Sequence, residues 1–103
     1  FLRLVREKHP ARAIVLVWPV VSRHRETTPC ATGMTLQNFR AEVEAAYEIL
    51  TDAGDENLYY IHGFDLLDPD DAERLPDDLH PDAEGYRMMG RRMLAKIEEL
   101  DLP

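Results

Sequence analysis

The run AIVLVWP, Ala13 to Pro19, limits what this chain can fold into more than any other feature. It is apolar without interruption, rich in β-branched residues and of strand length. Unbroken hydrophobicity over such a stretch predicts a strand covered on both faces. A second run, NLYYIHG from Asn57 to Gly63, reads as another short strand. Between them, Thr35 to Ala53 carries Leu36, Phe39, Val43, Ala46, Tyr47 and Leu50 on one helical stripe. Thr35 is its expected N-cap, and Gly54 ends it. Strand, crossover helix and strand form a βαβ unit, so the two strands should be parallel with a right-handed crossover.

The flanks add two more helices. Phe1 to His9 reads as the end of a helix, with Phe1, Leu4 and Val5 on one face and Pro10 as its stop. Pro81 is the expected first residue of the last helix, whose buried stripe is Tyr86, Met89, Met93, Ile97 and Leu100. Val20 to Gly33 is a long connection without a period, the kind of loop that often carries function. Phe64 to Leu79 reads as an acidic loop. The fold class is therefore α/β with parallel strands. Parallel sheets normally hold several strands, and the edge of a lone apolar strand invites aggregation. We expect residues 1–103 to be the C-terminal part of a larger α/β domain. The competing expectation is a small domain completed by homodimerisation through the exposed sheet edge.

The chain has 103 residues, 45% of them hydrophobic and 31% charged, with a net charge of −8. One core and one domain fit that length. The acidic balance argues against a nucleic-acid or anionic-membrane partner, both of which need a basic footprint. Arg91, Arg92 and Lys96 read as the solvated face of the last helix. Ala13 to Val21 is too short to span a bilayer. No signal peptide is visible, and a chain that opens inside a helix would not show one. The compartment is left open, with the cytoplasm as the default. With Cys30 as the one cysteine, neither an intrachain disulfide nor a cysteine-based zinc site is expected. No metal or organic cofactor is implied.

The chemistry concentrates in LPDDLHPDAEGYRMMG, Leu75 to Gly90. Ligands of open parallel sheets bind beyond the carboxyl ends of the strands. Two loops leave those ends, one after Pro19 and one after Ile61, and the second carries Asp77 and His80. A carboxylate three residues before a histidine can accept the Nδ1–H and leave Nε2 free as a general base. That is the orienting role of the acid in a Ser-His-Asp triad. The plain alternative is that His80 caps the last helix while Asp77 and Asp78 are solvated loop acids.

Asp77-Asp78-Leu79-His80-Pro81-Asp82-Ala83-Glu84-Gly85-Tyr86 resembles the last conserved block of the SGNH hydrolases, the GDSL-type esterases and lipases. That block reads Asp-x-x-His-Pro, a small polar residue, Gly-Tyr and a helix rich in Met, Ala and Leu. The preceding order of elements and the stretch HGFDLL agree with it, so the resemblance spans nearly the whole chain. It implies a three-layer α/β/α, flavodoxin-like fold and a serine hydrolase of carboxylic esters. Asp77 would be the triad acid and His80 the base. The family's Gly-Asp-Ser block and its oxyanion Gly and Asn have no counterpart here. A chain with acid and base but no nucleophile is expected to be nearly inert alone. Some relatives of this kind transfer the acyl group to another acceptor, so an acyltransferase is an open alternative, as is a non-catalytic binding or dimerisation module.

Other residues are weaker candidates. Pro19, Val20 and His62 sit where a small-molecule or acyl ester would be lined, and Trp18 beside them reads as core. Ser22, the one serine, lies on the ligand edge but lacks the strand–turn–helix setting that exposes a catalytic serine. Cys30 shows no local feature of a reactive thiol, and His9 and His24 read as surface residues. The carboxylates of DLLDPDDAERLPDD fail the spacing and glycine requirement of a calcium loop, so a solvated acidic loop is expected.

Overall fold

A computed structural model describes residues 1–103. Helix α1 (Leu2–Lys8) leads into strand β1 (Ile14–Val17), then helix α2 (Leu36–Asp52), strand β2 (Leu58–Ile61), two short 3₁₀ turns (Gly63–Asp65 and Pro69–Arg74) and helix α3 (Ala83–Leu100). β1 and β2 pair in parallel, with Ile14 opposite Leu58 and Val17 opposite Ile61. The chain is thus α/β with a two-stranded parallel sheet. None of its helices is long and apolar enough to cross a membrane.

Local chemistry explains the element ends. Thr35 accepts the Asn38 backbone N–H, and the Asn38 side chain returns to the Thr35 N–H, so two orphan donors of α2 are satisfied. Gly54, at φ +100°, closes that helix in a conformation that costs other residues a Cβ clash. At the amino end of the sheet, Arg6 pairs with Asp55 at 2.7 Å and also donates to the carbonyls of His9, Arg12 and Asn57. This holds α1 to the segment that precedes β2.

The core is not where helical periodicity places it. The fully packed cluster is Val21, Leu67, Ala72 and Leu75, with Val20, Phe64, Met88 and Met89 against it. Every one of its buried members belongs to a loop or a 3₁₀ turn at the carboxyl end of the sheet. The expected stripe of α2 is at best half-buried, and the helix buries Arg40 instead. β1 is likewise not covered on both faces: Ile14 to Leu16 are half-buried and Val17 is exposed. Phe1, Leu4, Ile49 and Leu94 also face solvent. These elements lack a packing partner on their outer faces.

The acidic stretch after β2 folds for a definite reason. Asp68 accepts the Asp70 N–H, Asp71 accepts the Asp68 N–H, and Pro69 occupies the first turn. The carboxylates act as caps that let Leu66, Leu67, Ala72 and Leu75 turn inward. No group of these acids gathers into a metal-holding cluster. Arg92 of α3 donates to Leu66 O at 2.8 Å and Asp71 at 2.5 Å, so it stitches α3 to this segment instead of standing on a solvated face.

α3 begins at Ala83, two residues later than Pro81. Asp82 is the N-cap and accepts the Gly85 N–H at 2.7 Å. A side chain that can cap outcompetes the proline's preference for the first turn. Tyr86, expected on the buried stripe, is exposed, while Met89, Met93, Ile97 and Leu100 are half-buried.

Candidate active site

The loops that leave β1 and β2 emerge at the same end of the sheet and are fastened to each other. Trp18 continues the ladder by donating to Ile61 O, and Val21 donates to Leu67 O. Gly63 lies so close to β1's exit that a Cβ there would stand 2.2 Å from Pro19 O. Arg40, reaching from α2, donates to the carbonyls of Pro19 and Val20 and pairs with Glu26. Its guanidinium also lies over the rings of Trp18 and Phe64. Both loops therefore rest on a braced platform.

Asp77 and His80 stand on that platform. Asp77 Oδ2 is 2.6 Å from His80 Nδ1, and Asp77 Oδ1 accepts the backbone N–H groups of Leu79 at 3.0 Å and His80 at 2.6 Å. The carboxylate thus folds the loop around itself in an Asx-type turn. These bonds, led by the His80 N–H, hold Asp77 below the usual carboxylate range. At neutral pH it is an acceptor only. The neutral imidazole of His80 must then carry its proton on Nδ1, which leaves the Nε2 lone pair free. Both side chains are more than half exposed, so Nε2 is open to a reacting group. His80 is not the helix cap; Asp82 has that role.

Asp78 is half-buried where its neighbour Asp77 is exposed, so it is not a solvated loop acid. Its backbone sits in the left-handed region at φ +59°. Its carboxylate accepts the Arg23 N–H at 2.7 Å, the His24 N–H at 2.9 Å and the Ser22 hydroxyl at 2.8 Å. Its carbonyl accepts the Arg25 guanidinium at 2.7 Å. Burial alone would raise the Asp78 carboxyl, yet the Ser22, His24 and Arg23 hydrogen bonds outweigh it and bring it below the ordinary range. Periodicity offers no signal for such a contact, because its partners lie more than fifty residues away in sequence.

The remaining candidates separate clearly. Pro19 and Val20 line a cavity of about 220 Å³ together with Val21, Ser22, Arg25, Leu36, Asp78 and Leu79. It adjoins the Asp77–His80 loop. His62 does not line it. Its Nδ1 accepts the Phe64 N–H, and its ring packs between Trp18 and Phe64, where burial keeps the imidazole below its ordinary pKa. His62 serves there as a neutral cap. Trp18, half-buried, borders a second cavity of about 420 Å³ with Glu26, Gln37, Arg40, Phe64 and Pro69. Ser22 is buried, and its single hydroxyl proton is directed at Asp78, so it is not presented as a nucleophile. Cys30 is exposed, and the Thr32 hydroxyl 3.0 Å away lowers its thiol pKa, a feature the sequence does not display.

No family model matches the sequence. No curated protein matches it either. Among solved structures it is similar to the salicylyl-acyltransferase SsfX3 from a tetracycline biosynthetic pathway, at 28% identity and a TM-score of 0.78 over 96% of this chain. The chain spans 30% of the length of that acyltransferase. The similar structure thus belongs to an acyl-transferring protein, and the α/β architecture is common to both over nearly all of the present residues.

Proposed function

We propose that this chain supplies the general base and the orienting carboxylate of a serine-dependent acyl-transfer enzyme of SGNH type. The complete domain in this reading is a three-layer α/β/α, flavodoxin-like fold. The observation that carries it is the Asp77–His80 pair, closed at 2.6 Å through Nδ1 at the carboxyl end of a parallel sheet. The likeness to an acyltransferase over 96% of the chain supports the same reaction class. The exposed apolar residues Leu4, Val17, Ile49 and Leu94 support a further layer packing on these elements.

His80 Nε2 takes the proton of a serine hydroxyl as that oxygen attacks the carbonyl carbon of an ester. Asp77 holds the imidazole in the Nδ1–H tautomer and stabilises the imidazolium that forms. The tetrahedral intermediate collapses, His80 returns the proton to the leaving alcohol, and an acyl-serine remains. A second hydroxyl then enters, deprotonated by the same Nε2. If it comes from water the product is a carboxylic acid; if it comes from an alcohol the product is a new ester. The acyltransferase likeness favours the second acceptor. The serine and the oxyanion donors come from outside these residues, since Ser22 is committed to Asp78.

The test is the full-length protein assayed with an activated acyl ester, with and without an alcohol acceptor. His80→Ala should abolish turnover while circular dichroism and Tm stay unchanged. Wild-type turnover by that variant would remove His80 from the mechanism.

A further inference from the structure

We infer that Asp78 is a positioning residue for the proposed base, a role that rests on the acyl-transfer reading above and adds a new member to its site. Asp78 lies between Asp77 and His80 in the chain, yet its side chain serves neither of them. It crosses to the opposite loop. Three donors converge on its carboxylate: the Ser22 hydroxyl at 2.8 Å and the backbone N–H groups of Arg23 and His24 at 2.7 and 2.9 Å. Arg25 donates to its carbonyl at 2.7 Å, and the Ser22 hydroxyl oxygen also lies 2.8 Å from that carbonyl, its one proton shared between carbonyl and carboxylate.

Backbone geometry shows what this clamp accomplishes. At φ +59°, Asp78 turns the chain through a left-handed step between the acid and the base. Asp tolerates that region better than most residues but still at a conformational cost. The step lets Asp77 Oδ1 reach the N–H groups of Leu79 and His80 while Oδ2 meets the imidazole. The Asp77–His80 pair is itself exposed and has few neighbours to fix it. Its orientation relative to the rest of the molecule is therefore set through Asp78. The buried Ser22 and the turn at Arg23–Arg25 are the anchor, and that turn is in turn held by Glu26, which accepts the Ser22 N–H and pairs with Arg40. Ser22 and Asp78 also share the wall of the 220 Å³ cavity, so the clamp fixes the base relative to that wall.

The experiment uses the full-length protein and an activated acyl ester. It compares wild type with Asp78→Gly, Asp78→Asn and His80→Ala, and reads kcat and KM separately. Asp78→Gly keeps the left-handed step and the main-chain carbonyl that faces Arg25, and deletes the three contacts to the carboxylate. It should lower kcat by about 10²-fold with KM changed less than about threefold, because small displacement of a reacting group costs rate in that range. Asp78→Asn, which retains an acceptor oxygen for the turn, should recover at least about tenfold of that loss. A purely structural role would not produce this split with recovery. If Asp78→Gly fails to fold, Ser22→Ala and Arg25→Ala each remove one strand of the clamp and should lower kcat in the same selective way. Wild-type kcat in Asp78→Gly, or in both Ser22→Ala and Arg25→Ala if the glycine variant does not fold, overturns the inference while a dead His80→Ala leaves the acyl-transfer reading standing. An active His80→Ala overturns that reading and this inference with it.

Discussion

Asp77 meets His80 twice, once through the imidazole Nδ1 and once through the backbone N–H, both at 2.6 Å. The acid thus builds the turn that presents the base and sets the tautomer of that base with the same carboxylate. The two oxygens divide the work: Oδ1 holds backbone, Oδ2 holds the ring.

This division predicts the behaviour of Asp77→Asn. An asparagine Oδ1 can still accept the Leu79 and His80 N–H groups, so the loop should keep its shape. Its amide nitrogen then faces Nδ1 and forces that atom to accept, which moves the ring proton to Nε2 and blocks the base. In the full-length protein kcat should fall by about 10⁴-fold, the size seen when a triad acid is replaced by its amide. Tm should be nearly unchanged. Steady-state kinetics with thermal melting checks both parts.

Acid should unfold the protein through carboxylates that titrate low in the folded state. Arg40 lowers Glu26, Arg92 lowers Asp71, the His80 N–H lowers Asp77, and the hydrogen bonds from Ser22, His24 and Arg23 lower Asp78 against its burial. A folded value below the unfolded one means that the unfolded chain binds more protons in the window between them. The stabilisation is complete above the unfolded values, near about pH 4, and is lost as pH falls toward the folded ones. The urea midpoint should decline gently below about pH 6.5, where unfolded His62 takes up a proton that its buried folded state resists, and drop steeply below about 4. Glu26→Gln should lower the midpoint at neutral pH and lose less of it on acidification.

Arg40 should be the most sensitive position of α2. Its side chain is 4% exposed and satisfies two carbonyls and Glu26. Arg40→Ala strands all three acceptors, at a cost of about 3–5 kcal/mol for a buried pair broken on one side. Arg40→Lys should recover little, since one ammonium cannot reproduce the planar fork. Urea denaturation of the two variants measures the difference.

Two glycines of α3 should respond in opposite directions to alanine. At Gly90 a Cβ meets nothing within 4 Å, so Gly90→Ala should stabilise the helix by about 1 kcal/mol. At Gly85 a Cβ would stand 2.9 Å from Pro81 Cβ and 3.1 Å from Arg74 Cβ. Gly85→Ala should therefore destabilise by about 1–3 kcal/mol. It should also reduce kcat, because Pro81 directly follows His80. Paired Tm and kcat measurements distinguish the two positions.

Much of the architecture was legible from local chemistry. The apolar runs at Ala13 and Asn57 announced β1 and β2, and the intervening helix period announced a βαβ unit whose strands are indeed parallel. Thr35 and Gly54 marked the ends of α2 within a residue. Asp77, Leu79 and His80 form their turn through contacts at most three residues apart, which is why the spacing alone was informative.

Long-range packing decided the rest. The sequence by itself determined elements and the Asp77–His80 pair, because hydrogen bonds between near neighbours need only the local chain. Tertiary structure alone decided that Val21, Leu67, Ala72 and Leu75 pack into one cluster, that Arg40 is buried, and that Asp78 is a clamp rather than a solvated acid. Each of those outcomes depends on which distant donors or apolar faces arrive at a residue. A polar side chain among polar neighbours carries no mark of that until the Ser22–Arg25 turn is folded against it.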